Sequence, residues 1–137
     1  MNSILHPRGW APPIGYSNGI MSVPGRVVFV AGQIGWNAQQ RFETSDLAAQ
    51  FAQALENVVA VLAEAGAAPA HICRMTAYCT DKDGYLAARP AIARAWRRIM
   101  GKHFPAMTMV FVSALLDEGA KIELEATAVV AAGASCR

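Results

Sequence analysis

The sequence predicts a single α+β domain in which a mixed sheet carries two helices packed on one face. Three observations lead there. Two amphipathic helical stretches are separated by short β-rich segments, in the order β-β-α-β-α-β-β. The chain has 137 residues, the size of one domain. It is 54% hydrophobic and only 16% charged, which excludes disorder and leaves apolar surface for a partner to cover.

The elements follow in order. Pro7, Pro12 and Pro13 make the start irregular, so residues 1–12 are a lead-in, residues 13–131 the domain and residues 132–137 a tail. Residues 26–33 (RVVFVAGQ) are β-branched and bounded by glycines, which predicts a buried strand. Pro24-Gly25 is a turn signal, so residues 16–23 are expected as its hairpin partner. Over residues 44–65, Leu47, Phe51, Leu55, Val58 and Leu62 form one apolar stripe. Thr44, Ser45 and Asp46 are candidate N-caps, and Gly66 ends the helix. Residues 72–80 alternate, with Cys73, Met75, Ala77 and Cys79 on one face and Arg74, Thr76 and Tyr78 on the other. Asp81 or Asp83 caps a second helix running to about His103, with Ile92, Trp96 and Ile99 inward and Pro90 in its first turn or at a kink. Residues 106–113 are apolar on both faces, as a central strand is. Residues 121–130 alternate again, Ile122, Leu124, Ala126 and Ala128 opposite Lys121, Glu123, Glu125 and Thr127.

Composition narrows the function. A net charge of +2 falls short of a nucleic-acid footprint. No apolar run reaches the ~18 residues of a membrane span, and the first residues lack a signal-peptide pattern, so no membrane and a cytoplasmic location are expected. Of three cysteines, Cys73 and Cys79 lie roughly 20 Å apart on one strand, beyond disulfide reach, and are read as small buried hydrophobes. The scattered His6, His71 and His103 have no metal-ligand spacing, and no glycine-rich phosphate loop is present; neither metal nor cofactor is expected. The basic run Arg89, Arg94, Arg97, Arg98, Lys102 and His103 is read as a solvated helix face, opposite the apolar stripe that takes Trp96. Glu123 and Glu125 share a strand face about 7 Å apart, a spacing open to acid–base chemistry or to a plain polar surface.

Several strings, in order and spacing, resemble the RidA/YjgF family of enamine and imine deaminases, also labelled the endoribonuclease L-PSP family. They are Ile14-Gly15-Tyr16-Ser17, Val28-Phe29-Val30-Ala31-Gly32-Gln33-Ile34, Ala49-Gln50, Ala54-Leu55-Glu56-Asn57, Leu62-Ala63-Glu64-Ala65-Gly66, Phe104-Pro105-Ala106 and Ile122-Glu123-Leu124-Glu125-Ala126. The resemblance implies a chorismate-mutase-like fold, a homotrimer and small-molecule sites in clefts between subunits. It places Glu123 as the residue that holds the attacking water, Tyr16 in the cleft wall, and backbone groups near Ala31 and Gly32 against the ligand.

The sequence departs from the family pattern at the carboxylate-binding Arg, whose position holds Met107. A thioether has no guanidinium fork. Ala31 replaces a usual Ser, and Met109 stands near a frequent Cys, so a more apolar pocket follows. Arg89, where the family often has Asn, is a candidate replacement anion contact. Three functions are compatible: hydrolytic deamination of a small enamine or imine other than the standard 2-imino acids, non-catalytic metabolite binding or sensing, and, with least support, RNA cleavage.

Overall fold

The computed structural model describes residues 2–133. Its elements are β1 (Ser3–Leu5), β2 (Gly19–Met21), β3 (Gly25–Ile34), α1 (Leu47–Glu64), β4 (Ile72–Cys79), α2 (Lys82–Met100), β5 (Ala106–Phe111) and β6 (Ile122–Ala131). A single 3-10 turn, Pro69–His71, leads into β4. Met1 and residues 134–137, including Cys136 and most of the expected tail, lie outside the described residues.

The main sheet has the order β3-β6-β4-β5. β4 and β5 are parallel, joined by the α2 crossover, and the remaining pairings are antiparallel. Both helices lie on one face. The predicted stripe of α1 is its buried face, widened by Ala54 and Gln50. In α2 the buried residues are Ile92, Ala95, Trp96 and Met100, and Ile99 packs partly against the same core. These meet Met75, Ala77 and Cys79 of β4 and Ile122, Leu124, Ala126 and Ala128 of β6. Cys79 is fully buried, and burial pushes its thiol pKa up. Cys73 is half-buried, and both cysteines are free thiols.

Side chains tie the ends of the helices. Of the candidate caps, Asp46 and Asp81 accept from the Ala49 and Gly84 amides. Gly66 closes α1 and Gly101 closes α2, both with positive φ, so α2 stops short of His103. Arg98 bridges to Glu56 of α1 at 3.0 Å, an exposed pair that contributes little stability. Gln50, fully buried, donates to the carbonyls of Thr44 and Gly119 and accepts from the Lys121 amide. It fastens the start of α1 to the loop that feeds β6. Gly35 must be a glycine for this, because a Cβ there would press on the Gln50 backbone at 2.7 Å.

Four expectations are corrected. Residues 16–23 do not pair with β3: β6, equally long, takes β3 along its whole length, and the shorter β2 pairs with β1. The lead-in is not wholly irregular, since Ser3–Leu5 is β1, and Asn2 accepts from the Val23 amide to hold it there. Pro90 lies well inside α2, past the first turn, on its exposed side. The strand expected in the sheet centre, β5, is an edge strand; its face away from the helices is uncovered, with Thr108 and Val110 exposed.

Candidate active site

The sheet face away from the helices is open. Period-two alternation brings Arg74, Thr76 and Tyr78 of β4 beside Thr127, Glu125 and Glu123 of β6, in register pairs Arg74–Thr127, Thr76–Glu125 and Tyr78–Glu123. The two glutamates therefore do share a face, but their partners differ. The Tyr78 hydroxyl donates to Glu125 Oε1 at 2.7 Å. That hydrogen bond above all, then burial and the charges of Glu125 and Glu123, holds the Tyr78 pKa above the ordinary value, while Arg74 works the other way.

Glu123 is positioned by the opposite strand. β3 carries an extra residue between Val30 and Gln33, so Ala31 and Gly32 form a bulge against β6. The Glu123 carboxylate lies over Gly32, and a Cβ at Gly32 would collide with it. A carboxylate is thus set directly against backbone whose ladder is interrupted. That arrangement can hold a water or a small polar ligand between a carboxylate and backbone groups.

Two depressions lie nearby, and Glu123 and Gly32 line neither of them. The larger, about 430 Å³, is lined by Phe29, Ala31, Arg74, Thr76, Glu125 and Thr127 among others. The smaller, about 180 Å³, lies at the β5 edge between Tyr16, Ser17, Asn18, Arg74, Met107 and Thr108. Ser17 fixes Tyr16 in place: it is buried, its hydroxyl donates to the Phe104 carbonyl, and its amide donates to Pro105 at 3.0 Å.

Within one chain the residues singled out by sequence fall into three groups. Glu123, Gly32 and Ala31 lie at the β3–β6 bulge. Tyr16 and Met107 flank the smaller depression, about 13 Å along the sheet from Glu123 by strand rise. Met107 and Met109 pack partly against the helix-side core. Arg89 is exposed on α2 and borders neither depression; its charge acts on Tyr85, whose pKa burial pushes up. The structure thus does not bring Arg89 to the open face. Arg74 and Tyr78 were visible in the sequence only as the wetter side of a strand. The signal that Arg74 borders both depressions is its register, which alternation alone does not supply.

The fold is a helix-backed mixed sheet with a carboxylate set over a glycine bulge, and comparison with known proteins assigns its family. The family described as Endoribonuclease L-PSP matches residues 9–130. The chain is 33% identical over 105 residues to the 2-iminobutanoate/2-iminopropanoate deaminase of Escherichia coli K12, covering 77% of this chain and 80% of that protein. It is 34% identical over 107 residues to a RutC family protein of Pasteurella multocida, covering 78% and 82%. Among solved structures, the Rid-family protein YyfB of Yersinia pestis superposes with a TM-score of 0.84 at 33% identity, over 94% of this chain and 98% of that one. The YjgF gene product of E. coli gives 0.67 at 31% identity, over 83% and 87%. The chain belongs to the RidA/YjgF, or endoribonuclease L-PSP, family, and its fold is the chorismate-mutase-like fold of those neighbours. No helix among the described residues is long and apolar enough to cross a membrane.

Proposed function

We propose that the protein is a hydrolytic deaminase of a small enamine, imine or related C–N metabolite, acting in a cleft between subunits of a homotrimer. The observation that carries this is the Glu123 carboxylate laid over Gly32 at the β3 bulge, in a chain whose relatives include a named imine deaminase. In the proposed reaction a water held by Glu123 adds to the imine carbon. Its proton passes to the carboxylate as the C–O bond forms, and the C=N electron pair moves to nitrogen, which is protonated. Collapse of the carbinolamine then breaks the C–N bond and releases ammonia and a carbonyl product. With Met107 where the family has its carboxylate-binding Arg, the standard 2-imino acids lose a charge-assisted anchor on β5.

The cleft needs more than one chain. Glu123 and Met107 lie on different faces of one sheet, and the open face exposes Phe29 (79%), Val27 (52%) and Tyr16 (43%). Packing copies through that face covers these side chains and lets one chain's Tyr16 and β5 edge meet another's Glu123. Light scattering on purified protein is expected to give three times the chain mass; a monomer at working concentration would contradict the inter-subunit site. The RNA-cleavage reading has least support, since a net charge of +2 falls short of a nucleic-acid footprint.

Ammonia release from a panel of freshly generated imines and enamines, with and without carboxylates, tests the reaction. Ligand binding without ammonia release from any of them would favour a metabolite-binding protein instead. A substitution at the bulge tests the geometry. Gly32→Ala forces the flexible Glu123 side chain aside without touching the core. Turnover is expected to fall about 100-fold. Thermal denaturation should show a stability change within about 1 kcal/mol.

A further inference from the structure

We infer that Arg74 is the anion-binding residue of this cleft, so that the anionic group of the ligand is gripped from β4 and not from β5. The inference rests on the deaminase-cleft reading above and names a residue that would set its specificity.

Several observations converge on Arg74. It is the one cation that lines both depressions, and the smaller one also contains Tyr16 and Met107. It is aligned across the β4–β5 ladder with Ala106, so the two share the open face, where the smaller depression lies against Thr108 and Tyr16. The local backbone presents it there. β4 runs from Ile72 to Arg74 while its partner β6 advances only from Ala128 to Thr127, which leaves Cys73 as a bulge. The burial alternation breaks at the same point, and Arg74 emerges as the exposed residue of β4. Bulges re-aim the side chains next to them.

The charge is also available. Among the described residues no carboxylate lies within 4.0 Å of Arg74. Glu125, which shares the larger depression, already accepts the Tyr78 hydroxyl. Thr108 adds a hydroxyl to the smaller depression, and at about 180 Å³ that space suits a few heavy atoms, well below the size of a drug-like ligand. A guanidinium pairs with a carboxylate through two parallel N–H donors, a geometry that neither Met107 nor Thr108 offers.

The test uses the intact protein labelled with ¹³C at its methionine methyls, titrated with 2-oxobutanoate and with the neutral 2-oxobutanamide. For the wild type, the acid is expected to bind at least about tenfold more tightly than the amide and to shift the Met107 methyl signal. Arg74→Ala should weaken the acid about 10- to 100-fold and leave the amide unchanged. Arg74→Lys should recover part of the loss. Because Arg74 lies on the face through which copies are proposed to pack, the mass by light scattering and the melting temperature of both variants are checked alongside, and affinities are compared only at wild-type mass. Equal affinities of acid and amide for the wild type, or undiminished acid binding by Arg74→Ala, would overturn the assignment. Ammonia release is scored separately: if imines are hydrolysed but Arg74→Ala keeps its preference for acids, the anion assignment fails alone. If acids bind through Arg74 but no imine is hydrolysed, the deaminase reading fails alone.

Discussion

Glu123→Gln is expected to lose about 10²- to 10⁴-fold in turnover while keeping its fold and ligand affinity. The amide matches the carboxylate in size, so it still fits over Gly32, where only a glycine leaves room. It cannot take a proton from water at neutral pH, which removes the base and spares the cleft. Steady-state kinetics should therefore show the loss in kcat with KM little changed. Glu125→Gln serves as the contrast. Glu125 already accepts the Tyr78 hydroxyl, and a glutamine carbonyl accepts that bond equally well, so turnover should stay within a few-fold of wild type. Equal losses from the two substitutions would mean that the pair acts as a general polar surface.

The largest effect on stability is expected at Gln50. Replacing it with Ala removes three hydrogen bonds at once, those to the Thr44 and Gly119 carbonyls and from the Lys121 amide, and leaves a gap where a fully buried side chain stood. A destabilisation of about 3 kcal/mol follows, roughly 10 °C in melting temperature for a domain of this size. Gln50→Leu should do no better, because it keeps the volume but satisfies none of the three backbone groups. A melting temperature within about 2 °C of wild type for either variant would show that the loop before β6 is held by something else.

What could be read in the sequence was what periodicity encodes. The stripe from Leu47 to Leu62 and the alternation over Ile122 to Ala128 specified α1 and β6, because one buried face repeats at one period. Partner choice is not encoded that way. β5 is apolar on both faces, as a central strand is, yet it lies at the edge, since nothing in its own residues says that one face stays uncovered in the chain. The pairing of β1 with β2 was hidden by the prolines around three-residue strands. In the candidate site, Glu123 could be found because it sits in an alternating strand and in a family string. Gly32 could be named, but its role as the space beneath Glu123 could not, because a bulge on β3 shifts the register there. Alternation put Arg74 on the correct face but did not set it apart from Thr76 and Tyr78, which left Arg89, on the helix layer, as the more visible arginine.

The most direct measurement is ammonia release by the purified wild-type protein from freshly generated imines and enamines, followed continuously beside Glu123→Gln. The account predicts release by the wild type, at a rate well above spontaneous hydrolysis, and release at the spontaneous rate by the variant. Spontaneous rates for both across the panel, or equal acceleration by both, would contradict the assignment of Glu123 as the base of a deaminase.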